Sequence, residues 1–149
     1  MYDDDASGEL TTRHSLGYYR KQEFVTTESI LRFSGIPTLL KMPLMRDAVD
    51  PAVALVGVPY DGGVVRTPGS RFGPRGMRAT CWRAPDYNQH FDLSIENVKN
   101  VADIGDILIS PMSKVDALNA IDAGISKILE QGIIPVAIGG DHGISLPIL

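Results

Sequence analysis

The chain has 149 residues, 44% hydrophobic and 21% charged, with a formal net charge of -4, the profile of one globular domain able to bury roughly 68–70% of its unfolded surface. The acidic balance argues against a nucleic-acid or anionic-membrane surface, which needs clustered Lys and Arg to meet phosphate. A single cysteine excludes an internal disulfide, no apolar run approaches the 18 or so residues of a membrane span, and the acidic Met-Tyr-Asp-Asp-Asp start is unlike a secretory or transit leader, so the expected location is cytoplasmic.

Residues 1–50 show no sustained period and are broken by Gly8, Gly17, Gly35, Pro37 and Pro43, which predicts an irregular N-terminal arm with short helical pieces. Its first dozen residues are expected to be mobile, and the apolar stretch at 33–45 to pack on something. Residues 52–59, Ala-Val-Ala-Leu-Val-Gly-Val-Pro, form a continuous apolar run that suits a strand buried on both faces. A short helix is predicted over 73–82, opening at Pro74, a favoured first helical position. Cys81, beside Trp82, reads there as a small buried hydrophobe rather than a reactive thiol. A second strand is predicted over 97–104.

The clearest helix comes next. Ser113 and Asp116 stand at capping-box spacing, with Asp in place of the preferred Glu or Gln. Val115, Leu118, Ile121, Ile125, Ile128 and Leu129 recur at helical spacing, and Gly132 follows as a C′ residue. A third strand is predicted over 133–138. Strands alternating with helices at these lengths imply an α/β fold with a parallel sheet and right-handed crossovers. Asp61, Asp103, Asp106, Asp141 and His142 are then expected to converge on the C-terminal rim of the strands, where open α/β sheets hold their ligands.

Two clusters at that rim carry chemistry. The third strand empties into Gly139-Gly140-Asp141-His142, and an imidazole there is well placed to ligate a metal. A lone histidine after a strand is more often structural, and a catalytic metal takes three or more protein ligands. His14 and His90 lie in weakly patterned stretches without ligand spacing. A phosphate cradle at Gly139-Gly140 lacks its required company, a Gly-x-Gly-x-x-Gly or a following Lys-Ser or Lys-Thr, so no nucleotide site is assigned. The other cluster is Gly57-Val58-Pro59-Tyr60-Asp61-Gly62-Gly63, continued by Arg66-Thr67-Pro68-Gly69-Ser70-Arg71-Phe72-Gly73-Pro74. Composition fits equally a glycine-rich surface loop with solvated arginines and a loop serving a pocket.

Taken together, Gly-Val-Pro-Tyr-Asp with Pro-Gly-x-Arg-x-Gly-Pro, and Gly-Gly-Asp-His with Ser145 and Pro147 after it, strongly resemble the ureohydrolase family of arginases, agmatinases, guanidinobutyrases and formimidoylglutamases. The resemblance runs from about Gly35 to Leu149, and Gly35-Ile36-Pro37-Thr38 is similar to agmatinase and guanidinobutyrase members. It implies a three-layer α/β/α arginase-like fold, of which residues 51–149 are the N-terminal half. It also implies two Mn2+ ions bridged by a hydroxide that attacks a guanidinium carbon, since such ions lower the pKa of bound water. Only His142 falls on a metal ligand of that site, and Asp141 takes a supporting role. The family's Asp-Ala-His-x-Asp and Ser-x-Asp-x-Asp-x-x-Asp-Pro motifs, which carry the other five ligands, have no counterpart in these residues, and no acid-base residue is located.

The expected reaction of the complete protein is hydrolysis of agmatine to putrescine and urea, with 4-guanidinobutyrate or another guanidino compound as the alternative. The chain alone is expected to be inactive, and an apolar edge and face left uncovered at the third strand to promote aggregation. The family resemblance implies a trimer or hexamer; a non-catalytic assembly subunit and a nucleotide-binding half-sheet are the competing functions. Arg66, Arg71 and Arg75 are candidates for holding a substrate carboxylate or for oligomer contacts.

Overall fold

A computed structural model describes residues 35–84, 87–94, 97 and 100–149; the first 34 residues of the expected arm, with His14, lie outside them. The strands are β1 (Val53–Val58), β2 (Tyr87–Asn88), β3 (Leu93–Ser94), β4 (Val101–Asp106) and β5 (Ile134–Gly139), and the helices α1 (Gly73–Thr80), α2 (Lys114–Glu130) and α3 (Ser145–Ile148). Strands β4, β1 and β5 form one sheet in that order, with both pairings to β1 parallel, while β2 and β3 make a small antiparallel hairpin.

Alternation along β1 divides the structure into layers. Ala54, Val56 and Val58 point to one face and pack with Ala117, Ile121, Ile125 and Ile128 of α2. Leu55 points to the other, where it meets Leu39 and Met42 from the segment before the sheet. Gly57 also lies on that second face, where a Cβ would come within 2.9 Å of Pro74 Cβ. Helices and the 39–42 segment therefore cover both faces of β1, which is almost wholly buried and is the continuous apolar strand its sequence predicts.

α2 is delimited as its sequence dictates. Ser113 caps its start, accepting from Asp116 N at 3.2 Å. Its end is a Schellman motif: Gly132, at φ 73°, donates to Leu129 O, and Ile133 N donates to Ile128 O. Burial of both Ile128 and Ile133 in the same core adds the apolar contact that accompanies this motif.

The second long strand departs from its prediction. It runs 101–106 instead of 97–104, and a register shift against β1 falls beside Gly105, whose φ of 87° suits a bulge glycine. Asp103, already within the predicted span, lies inside the strand at 1% exposed, and Asp106, expected after the strand, is its last residue. Apolar patterning ends the strand too early because a carboxylate is tolerated within it only when a distant cation pairs with it.

Candidate functional site

The polar residues expected at the rim divide into two groups. Asp61, Asp103 and Asp106 are consumed by ion pairs. Arg78 of α1 reaches Asp103 with Nε at 2.8 Å and Nη2 at 2.9 Å, and Asp106 with Nη1 at 2.6 Å. Asp103 also accepts from the amides of Leu39 and Gly105. Burial pushes the Asp103 carboxyl up, but Arg78 and those two amides outweigh it and hold the group below the usual carboxylate range. Arg78 is itself held further toward its charged form, first by the bond to Asp103. Asp61 accepts from Arg71 Nε at 2.7 Å, from Arg71 Nη2 and from Gly69 N. The Arg71 bond is the largest cause of an Asp61 carboxyl lowered to about 2.

Sequence reading missed this use of Arg78, whose partners lie 25 and 28 residues away. Arg71, one of the candidate carboxylate binders, is already occupied by Asp61. Arg75 lines an open groove of about 400 Å³ with Asp61, Asp106 and Lys114, and Arg66 is exposed. Cys81 is half-buried; its thiol lies 3.0 Å from the Thr38 carbonyl and accepts from Leu40 N, as befits a packing residue. His90 is exposed in the β2–β3 hairpin, edge-on to Phe91.

Asp141 and His142 form the second group. β5 ends at Gly139, and Asp141 opens a short 3-10 turn over His142–Ile144, accepting from Gly143 N at 2.7 Å. The β1 rim loop lies directly against this turn. Asp141 N donates to Tyr60 O at 2.8 Å, and a Cβ on Gly140 would overlap that same carbonyl. Gly140 thus permits two backbones to touch. Tyr60 is buried beside Gly62 and Gly143, and its hydroxyl has no hydrogen-bond partner among the described residues.

His142 is exposed, and Ser145 Oγ lies 3.2 Å from its Nδ1. That contact orients the ring and leaves Nε2 without a partner among the described residues, the arrangement a metal-ligating imidazole adopts. His142 therefore fits one position of a metal site. The described residues furnish no further positions: no group of three or more His, Cys, Asp or Glu side chains among them could hold a metal ion. No helix among them is long and apolar enough to cross a membrane.

Known proteins resemble the chain over these same elements. It is 41% identical to a guanidinobutyrase of Pseudomonas aeruginosa over 79% of its length and 38% of the relative. It is 34% identical to a mitochondrial agmatinase of Gallus gallus over 83% of its length and 36% of the relative. Its structure superposes on proclavaminate amidino hydrolase from Streptomyces clavuligerus with a TM-score of 0.70 at 28% identity, covering 79% of this chain and 39% of that one. Trypanosoma cruzi formiminoglutamase, solved with Mn2+, superposes with a TM-score of 0.59 at 26% identity, covering 74% of this chain and 38% of that one. The chain thus spans less than two fifths of the length of each of these relatives. The sequence model of the arginase family matches residues 51–149, the stretch that carries the sheet, α2 and the His142 turn, and the chain belongs to the arginase family.

Proposed function

We propose that these residues serve a manganese-dependent ureohydrolase in which His142 supplies one metal ligand and the substrate is a linear guanidino acid. The observation that carries the reading is the placement of His142: exposed at the rim just past β5, with one ring nitrogen spare and the adjoining Asp141 amide bonded to Tyr60 O of the β1 loop. Water adds its oxygen to the guanidinium carbon, the C–N bond to the alkyl chain breaks, the amine departs with a proton, and urea remains. Bound manganese supplies hydroxide near neutral pH. This chain's part is to hold His142 at the rim.

The guanidino acid is favoured over agmatine by the 41% identity to a guanidinobutyrase. Agmatine, expected from the Gly-Val-Pro-Tyr-Asp and Gly-Ile-Pro-Thr segments, is the competing substrate. We propose further that the complete protein is a cytoplasmic homo-oligomer, a trimer or hexamer, which light scattering of that protein measures.

The test is urea release by the complete protein with Mn2+ and either 4-guanidinobutyrate or agmatine. Faster turnover of the acid, abolished by His142→Ala, supports the reading; faster turnover of agmatine overturns the substrate, and unaltered turnover in His142→Ala overturns the ligand assignment. The 149-residue chain alone, with His142 as its one proposed ligand among the described residues, is expected to release no urea.

A further inference from the structure

Asp141 has two oxygens, and each meets an amide from a different part of the chain. Oδ1 accepts from Gly143 N at 2.7 Å, inside the turn that carries His142. Oδ2 accepts from Gly63 N at 2.6 Å, in the β1 rim loop 78 residues earlier. The first bond alone would be an ordinary cap of a 3-10 turn. The second has no local purpose, because Gly63 belongs to no element that needs capping by residue 141.

We infer that Asp141 is a positioning residue: its carboxylate latches the β1 rim loop to the His142 turn, so both loops together fix where the imidazole stands. Three further features join the same two loops. Asp141 N donates to Tyr60 O, Gly140 lies too close to that carbonyl for any Cβ, and the Tyr60 ring lies against Gly143, where a Cβ would be 3.1 Å from Tyr60 Cε1. The residue type follows from the geometry. An ionised carboxylate accepts at both oxygens, and N–H bonds to an ionised group are the short, strong kind. Asparagine offers one oxygen, and its NH2 turns a donor toward one of the two amides. Glutamate is a methylene too long to hold both bonds from the same backbone.

The importance of the latch for chemistry rests on the reading of His142 as a ligand, so the experiment reads neither turnover nor metal. In the complete protein without added metal, residue-level hydrogen–deuterium exchange follows the Gly63 and Gly143 amides, and proton NMR follows the C2–H resonance of His142. Asp141→Asn is expected to speed exchange at Gly63 or Gly143 about tenfold or more, the scale of a lost charged hydrogen bond, and to move the His142 resonance. Gly63→Ala approaches from the other side. Its Cβ would stand 3.1 Å and 3.2 Å from the two Asp141 oxygens, so the carboxylate must shift, and the Gly143 exchange rate and His142 resonance are expected to change with it. Under a purely local cap, substitution at position 63 reaches neither readout. An unchanged Gly143 rate and His142 resonance in Gly63→Ala overturn the latch, and that variant stands as a test even if Asp141→Asn fails to fold.

Discussion

The two flanks of β1 bring charge to the sheet in opposite ways. On the β4 flank, Asp103 and Asp106 are tied to Arg78, whose side chain is 14% exposed, and Asp103 also takes the amides of Leu39 and Gly105. Every strong bond Asp103 can make is directed at the protein itself. On the β5 flank, Asp141 is likewise occupied by amides, but the residue beside it, His142, stands exposed with a ring nitrogen to spare. Five polar residues near one rim are therefore not five candidates for chemistry. A buried charge with all its partners inside is architecture, whereas the exposed imidazole of His142 keeps a ring nitrogen for an outside partner.

The largest effect should come from breaking the closed flank. Asp103→Ala leaves the Arg78 guanidinium short of its main partner and orphans two amides, which should cost about 3–5 kcal/mol, as for other buried pairs cut on one side. Against a total stability of about 5–15 kcal/mol, that change should lower the urea midpoint steeply. A loss below about 1 kcal/mol would mean that the cluster is solvated and that the flanks do not differ as described. His142→Ala in the same assay should stay within about 0.5 kcal/mol, the usual range for an exposed side chain.

Next comes the seam between the loops. Gly140→Ala puts a methyl onto the Tyr60 carbonyl, backbone against backbone, so the rim loops must separate. The expected cost is about 1–3 kcal/mol, typical of overpacking, or a fall of a few degrees in Tm for a domain of this size. An unchanged Tm would show the two loops to be farther apart than the Asp141–Tyr60 bond allows.

Acid should loosen the Asp61 and Asp103 ion pairs with a defined sign. Arg71 holds the Asp61 carboxyl at about 2, and Asp103 also sits below its ordinary value. The unfolded chain takes up protons on these groups first, near the reference Asp value of about 3.9. Their stabilisation is complete above that pH and, for Asp61, disappears as pH falls from about 4 to about 2. Urea melts at pH 5, 4, 3 and 2 should show this loss. Arg71→Met should remove the Asp61 share and flatten the profile, and a profile as steep as that of the unsubstituted chain would exclude Arg71 as the cause.

How much of this was legible beforehand follows from where the partners lie in the chain. α2 announces itself because cap, stripe and C′ glycine all fall within one short window around Lys114–Glu130, and β1 because it is apolar on both faces. The displacement of β4 was not legible: Asp106 looks like a residue beyond the strand until Arg78 is placed beside it. The position of His142 just past β5 was legible from its motif; the touching backbones at Gly140 were not. The bond from Asp141 to Gly63 was not, since an amide carries no residue signature and the two positions are brought together only by β1 and β5 pairing in register from Val53 with Ile134 to Val58 with Gly139.

The smallest stability effect and the largest change in behaviour should coincide on the open flank. Ile134 and Val136 share a sheet face with Leu55, yet they are 62% and 43% exposed while Leu55 is 5%. No strand among the described residues pairs with the far side of β5, so apolar side chains and an unpaired edge occur together, the combination that favours intermolecular association. Ile134→Thr keeps the β-branch that suits a strand and gives up little burial, so unfolding should shift by no more than about 0.5 kcal/mol. Concentration-dependent light scattering should nonetheless fall, because the substitution removes apolar surface that a second molecule would cover. If instead Ile134→Thr costs 2 kcal/mol or more, residue 134 is buried in the folded chain, the β5 face is as closed as the β4 flank, and the contrast between the two sides of β1 fails.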